Sequence, residues 1–194
     1  MKSKKQELKK IKEEVLNLKS STLYGYRKEN NYFPVIGEGD HNCKVMIIGE
    51  APGENEAKSG RPFCGRAGQI LDEVLSEAGM EREKTYITNI VKDRPPENRD
   101  PTPEEIEVYA PFLDRQIKVI SPAVLVPLGR FSANYLLRKY GFGEKFSISK
   151  INGKIFKKGE GLKIVPLFHP AATIYSPPRK VELVEGFKKV KKII

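Results

Sequence analysis

The chain has little of what holds metals or cross-links. Of its 194 residues two are cysteines, Cys43 and Cys64, and two are histidines. The cysteines stand 21 positions apart in a chain without a signal-peptide pattern. That spacing suggests neither a disulfide framework nor a metal site, and it fits a reducing, cytoplasmic setting. Long apolar runs are missing too: none approaches the ~18 residues of a membrane span, so no membrane partner is expected. There is no internal repeat. Acid is in deficit, with 25 Asp and Glu against 35 Lys and Arg and a formal charge of +10. Such a surplus favours a polyanionic partner, nucleic acid first, and long-range steering towards it. The length suits one domain, 1–194, with a sizeable core.

What is present is an alternation of strand and helix. Residues 3–19 place Leu8, Ile11, Val15 and Leu18 on one helical stripe among lysines and glutamates, the pattern of a helix docked on a domain. Ser20 to Asp40 reads as irregular and extended. Apolar runs at Val45–Ile48, Tyr86–Val91, Ala123–Leu128 and Leu162–Phe168 read as strands. Helices are expected at Gln69–Ala78, from the capping box of Thr102-Pro103-Glu104-Glu105 with a bend at Pro111, at Phe131–Lys139, and from Arg179 onward. Asn152-Gly153 carries the signature of a tight hairpin. The order argues a three-layer α/β/α domain with a short, mainly parallel central sheet.

Two loops at strand ends carry the chemistry, since a parallel sheet gathers its ligands there. In Gly49-Glu50-Ala51-Pro52-Gly53-Glu54-Asn55-Glu56, glycines permit close approach and exposed backbone N–H groups. Its three carboxylates would repel phosphate, so at least one is expected to face an uncharged group or a reacting centre. An ordinary strand-to-helix connection with an acidic rim would look the same in isolation. In Phe168-His169-Pro170-Ala171-Ala172 the imidazole is expected at the sheet's carboxyl edge, where a lone histidine is more often structural unless a second loop faces it. Asn89 ends the neighbouring strand, and its carboxamide can both donate to and accept from the edge of a heterocycle. Phe63 is a loop aromatic suited to stacking on a ring or to packing in the core.

In chain order, Gly49 to Glu56, Gly60-Arg61-Pro62-Phe63 with Gly65-Arg66-Ala67-Gly68, Ile87-Thr88-Asn89, Arg94-Pro95-Pro96 to Glu105, and Phe168 to Ala172 resemble the uracil-DNA glycosylase superfamily. The likeness is strongest to family 4, the iron–sulfur branch. It implies a monofunctional, monomeric enzyme that extrudes uracil from single- or double-stranded DNA and hydrolyses its N-glycosidic bond. It implies that Asn89 reads the uracil edge, Phe63 stacks on the ring, and backbone N–H groups near Glu50 and Ala51 reach a carbonyl. His169, neutral, would donate to the charge developing on the base. Glu50 first, or Glu56, would oppose the sugar cation and orient water, and Glu56 could instead exclude a methyl at C5. Ile174 or Tyr175 would wedge the stack, and Arg94, Arg99, Arg130, Arg179 and Lys180 would meet phosphates. Action on hypoxanthine or an oxidised pyrimidine, or DNA binding with weak catalysis, are the alternatives. Cytoplasmic, nucleoid-associated work is expected.

One departure stands out. Where that branch holds a four-iron cluster with four cysteines, the match puts Leu18, Ser21, Asp93 and Tyr109. No cluster, and no metal, is expected, with Leu18 and Tyr109 tying the loops by apolar packing instead.

Overall fold

Val45–Gly49 is buried at every position, as a strand covered on both faces must be. In the computed structural model, which describes residues 3–143, 145–159, 161–174 and 176–194, this strand, β2, lies inside one mixed sheet. β1 is Glu38–Gly39, β3 Thr85–Asn89, β4 Val124–Pro127, β5 Phe156–Lys158 and β6 Leu162–Ile164, in the order β1-β3-β2-β4-β6-β5. β3, β2, β4 and β6 run parallel. The two edge strands, β1 and β5, are antiparallel.

Alternate side chains feed two cores. Met46, Ile48, Tyr86 and Leu125 pack with Ile11, Val15, Tyr109, Leu113 and Leu136 on one face. Val45, Ile47, Ile87, Val124 and Val126 pack with Leu71, Val74, Leu183 and Phe187 on the other. The first face is covered by α1 (Lys4–Leu16), α5 (Pro103–Ile120) and α6 (Arg130–Lys139), the second by α4 (Arg66–Glu77) and α8 (Pro177–Lys192). The three-layer α/β/α arrangement and its mainly parallel sheet are as expected. Capping boxes start α1 at Ser3 with Gln6 and α5 at Thr102 with Glu105.

Several local expectations need correction. Ser20 to Asp40 is not wholly irregular, because it holds α2 (Leu23–Glu29) and β1. Seven residues with only Leu23 and Arg27 buried are too short a stripe to show a period. Glu54–Ser59, expected within a loop, is a short helix, α3. Asn152-Gly153 is not a hairpin turn: it comes after a one-turn helix, α7 (Ile148–Ile151), and Asn152 Oδ1 accepts from Phe168 N at 2.9 Å. The hairpin comes later, between β5 and β6. The last strand is shorter than Leu162–Phe168 because Pro166 has no N–H, yet Val165 N and Leu167 N still donate to Leu125 O and Pro127 O. Helix α5 continues through Pro111.

A buried cation joins α1 and α2 to the sheet. Arg27 is 3 % exposed, and its Nη1 donates to both Asp93 carboxylate oxygens at 3.1 and 3.0 Å. The same guanidinium donates to Val15 O at 3.1 Å and to Leu16 O at 2.6 Å, capping carbonyls that end α1. Removing one partner of such a pair leaves an uncompensated buried charge, at a cost of about 3–5 kcal/mol. Arg27→Met should therefore lower the melting temperature by roughly 10 °C in a chain of this size, measured by circular dichroism.

Candidate active site

The strand order changes direction at β2: the chain passes from β2 to β3 on one side and then crosses from β3 to β4 on the other. The crevice outside such a switch point is where open α/β sheets bind ligands. A cavity of about 380 Å³ lies there, and Glu50, Ala51, Glu56, Phe63, Asn89 and His169 all line it. These are the three residues expected in catalysis and the three expected in base binding. They come from different parts of the frame: the loop after β2, helix α3, the loop before α4, the end of β3, and the segment after β6.

Missing side chains make the space. A Cβ on Gly49 would fall 2.1 Å from Asn89 Oδ1 and 2.8 Å from the Phe63 ring. Phe63 itself is held at φ +48°, a left-handed conformation that costs a side-chain-bearing residue about 1–3 kcal/mol. Beneath it Gly68, in the first turn of α4, would place a Cβ 1.8 Å from the Phe63 carbonyl oxygen. The ring thus stands at one wall, its centroid 5.6 Å from that of His169 and inclined by 33°. Asn89 is 2 % exposed, and among the described residues its carboxamide has no hydrogen-bond partner. Both amide functions remain available to whatever enters.

The two carboxylates are held differently. Glu50 Oε1 accepts from Phe131 N at 2.9 Å, at the positive N-terminus of α6. Burial raises its pKa, opposed by that N–H. Gly129, the cap of α6 with φ +93°, could not carry a Cβ there, which would lie 2.4 Å from Glu50 Oε1. Glu56 Oε1 accepts from Gly65 N at 3.3 Å, bridging α3 to the Phe63 loop. The third carboxylate, Glu54, turns away to Lys58 at 2.6 Å.

His169 is placed by its own backbone turn. Ala171 N donates to its Nδ1 at 3.2 Å, so the ring's one proton sits on Nε2. Burial pushes the imidazole pKa down to about 4. The group is therefore a neutral hydrogen-bond donor at neutral pH, and it does not need to be charged to act.

The residues expected to meet phosphate have diverse surroundings. Arg94 is 9 % exposed and committed to Asn98 Oδ1 at 2.8 Å and Tyr32 Oη at 2.7 Å, which makes it a brace for the cavity rim. Arg99 lines the cavity but forms a two-pronged pair with Glu105. Arg130 lies over the Phe131 ring and pairs with Asp100. Lys180 pairs with Glu73 and Glu77 of α4. Arg179 stacks on Phe168 and has no carboxylate partner among the described residues. Ile174, half-buried, comes after the short turn that begins at His169; Tyr175 lies outside the described residues. Sequence reasoning missed the far wall, where Pro95, Asn98, Asp100 and Pro101 face the cavity. That wall is a proline-rich loop that turns through two successive left-handed residues, Glu97 and Asn98, which the sequence pattern does not announce.

The four positions that the resemblance assigns to cluster cysteines are occupied by a joint of another kind. Tyr109 Oη lies 2.8 Å from Ser21 Oγ and 2.5 Å from Asp93 Oδ2. The phenol has one proton, which the carboxylate takes, so the serine hydroxyl donates to Tyr109. Arg27 closes the chain on Asp93. Burial raises the Asp93 pKa, opposed by the Tyr109 hydroxyl and by Arg27. Leu18 packs against the core beside them. A set with no thiolate, whose one carboxylate is already taken, does not fit a four-iron cluster. Cys43 is buried elsewhere and Cys64 is exposed beside Ser59. Tyr109 therefore works through its hydroxyl as well as its ring, a correction to apolar packing alone.

A switch-point crevice lined by a neutral histidine, a carboxamide, an aromatic ring and three carboxylates, Glu50, Glu56 and Asp100, is a mixed polar and apolar pocket where open α/β sheets bind ligands. The sequence model of the uracil DNA glycosylase superfamily matches residues 36–191, and the chain belongs to that superfamily. A Type-4 uracil-DNA glycosylase of Sulfurisphaera tokodaii is 46 % identical over 191 residues, covering 96 % of this chain and 84 % of that one. One from Archaeoglobus fulgidus is 39 % identical, covering 93 % and 89 %. One from Thermotoga maritima is 41 % identical, covering 82 % of each.

The tautomer can be read directly. Two-dimensional ¹H–¹⁵N spectra of the imidazoles should show His169 protonated on Nε2 near neutral pH and titrating only at about 4. A midpoint near the ordinary value of about 6.5 would contradict the neutral donor.

Proposed function

We infer that this chain hydrolyses the N-glycosidic bond of uracil in DNA, leaving an abasic site. The observation that carries it is the convergence of Glu50, Glu56, Phe63, Asn89 and His169 on one cavity at the switch point. It is supported by Type-4 uracil-DNA glycosylase relatives along most of the chain. In a duplex the scissile bond and the base edge are hidden, so the nucleotide must be extruded into the cavity. Asn89 then reads the pyrimidine edge, where uracil and cytosine present opposite donor and acceptor patterns. Phe63 stacks on the ring.

As the bond between C1′ and N1 breaks, the electron pair leaves with the base and positive charge develops on the sugar. His169 Nε2–H donates to the base oxygen that gains charge. A neutral donor suits this role, because it stabilises the anion without surrendering its proton early. Glu50 opposes the sugar cation and orients the water whose oxygen bonds to C1′. Its raised pKa lets it take a proton from that water as attack completes. Glu56 is the second carboxylate, placed to limit what can stand at C5.

The basic surface brings DNA to an acidic pocket, with Arg179 the freest of the candidate phosphate contacts. Among the described residues no helix is long and apolar enough to cross a membrane. We propose that the enzyme acts as a monomer on nucleoid DNA in the cytoplasm, with Ile174 or Tyr175 entering the vacated stack.

Incubation with single- and double-stranded oligonucleotides carrying uracil, hypoxanthine or no lesion, and then alkali treatment, tests this. Strand scission at uracil is expected, and His169→Ala should slow single turnover by about a hundredfold or more. Binding without scission at any lesion would overturn the enzymatic reading. We further propose that the protein is complete without iron. Purified without exposure to air, it should be colourless, show no absorption near ~400 nm, and keep its melting temperature in chelator; stoichiometric iron and sulfide would refute this.

A further inference from the structure

Lys92 is 0 % exposed, and the proposed chemistry does not use it. Its ammonium donates to Asn89 O at 2.6 Å, Thr88 Oγ1 at 2.8 Å and Gln116 Oε1 at 2.6 Å. All three partners offer only lone pairs. The Thr88 hydroxyl donates to Ile36 O at 2.6 Å, and Gln116 Nε2 donates to the same carbonyl at 2.8 Å. Three acceptors therefore match the three N–H bonds of an ammonium, where a neutral amine could satisfy only two. Among the described residues no carboxylate takes part. Burial pushes the Lys92 pKa well down, and the short bonds to three oriented acceptors are what oppose that and favour the ammonium.

The carbonyl it holds belongs to Asn89. On the other side of this stretch Ile90 N donates to Gly49 O at 3.1 Å and Val91 N to Glu50 O at 3.0 Å. The peptide after Asn89 is thereby fastened from both sides, to Gly49 O through the Ile90 N–H and to Lys92 through the Asn89 carbonyl, and the next peptide is fastened to Glu50 O. The Asn89 carboxamide has no hydrogen-bond partner of its own among the described residues, so its direction is set by its backbone and by packing against Gly49, beside the Phe63 ring. We propose that Lys92 is a positioning residue for base recognition, holding the Asn89 carbonyl so that the carboxamide points into the cavity. This rests on the proposed uracil reading only for the identity of the base.

A double-mutant cycle separates positioning from general stabilisation. Lys92→Met, Asn89→Ala and the double variant would be compared for inhibition by free uracil, with affinity for abasic-site DNA as the control. Lys92→Met should weaken uracil inhibition by about tenfold or more, leave abasic-site binding unchanged, and add nothing in the Asn89→Ala background. Equal losses in both backgrounds, or unchanged uracil inhibition, would overturn the proposal. Should Lys92→Met fail to fold, the ¹⁵Nζ resonance of Lys92 in the otherwise unaltered protein serves instead. It should move when uracil is added and stay still in Asn89→Ala, and indifference to uracil in the unaltered protein would overturn the coupling. A protein that neither cleaves uracil-containing DNA nor binds uracil fails the functional reading. In that case unchanged Asn89 side-chain amide resonances in Lys92→Met would overturn the positioning role separately.

Discussion

The parallel pairing of β2 between β3 and β4 is the constraint on which the molecule depends. Because both neighbours run with it, all three strands end at the same edge, and the segment leaving each end is delivered to one crevice. Gly49 pairs with Asn89 in register. That single pairing brings the loop of carboxylates and the carboxamide together before any side chain makes a contact. β6 adds His169 at the same edge through the continued pairing of Leu128 with Leu167. The cavity is thus a consequence of sheet order, and its walls come from segments far apart in sequence.

Close approach then does what charge alone could not. A protein with a formal charge of +10 lines its pocket with three carboxylates, Glu50, Glu56 and Asp100, and the two glutamates are each kept there by a backbone N–H. Gly129 and Gly53 are what let those carboxylates come near: a Cβ on either would collide with Glu50 or Glu56. Gly68 does the same for the Phe63 carbonyl, against which α4 rests. The strain at Phe63 is offset by burial of its ring, which is 6 % exposed. Negative charge in a pocket of a positive molecule has a physical logic under the proposed chemistry. The surface field collects a polyanion, while the local field favours the cation that forms within it.

How much of this could be read in the chain depends on where the information lies. The strands β2 and β4 were legible because burial on both faces leaves an unbroken apolar run, and α5 because its capping box is local. Glu50, Asn89 and His169 could be singled out since each lies at or just beyond the end of a strand. The cavity's far wall was not legible: nothing in Pro95 to Pro101 states that its left-handed turn faces Asn89. Arg94 was misplaced for a related reason. A loop arginine beside prolines reads as a phosphate contact, and only the fold shows Tyr32 and Asn98 waiting for its guanidinium. The Asn152-Gly153 pair misled because the same dipeptide that makes a hairpin turn also ends a short helix.

Two neighbours, Lys92 and Asp93, show how pocket and scaffold meet without depending on each other's chemistry. Both are buried, at 0 % and 1 % exposure, and burial lowers the pKa of Lys92 and raises that of Asp93. Lys92 turns to the end of β3 and to Gln116 of α5, so its bonds stiffen the pocket. Asp93 turns to Arg27 and Tyr109, and through Tyr109 to Ser21, so its bonds fasten the first two helices. The N-terminal joint is thus made of side-chain hydrogen bonds and an ion pair that form with the fold. Changes at Asp93, Ser21 and Tyr109 can then alter how the scaffold is held while leaving the bonds of Lys92, and the peptide of Asn89, as they are. A chain that differs from its resemblance at the joint, yet keeps every residue expected in the pocket, has the pattern such a separation permits.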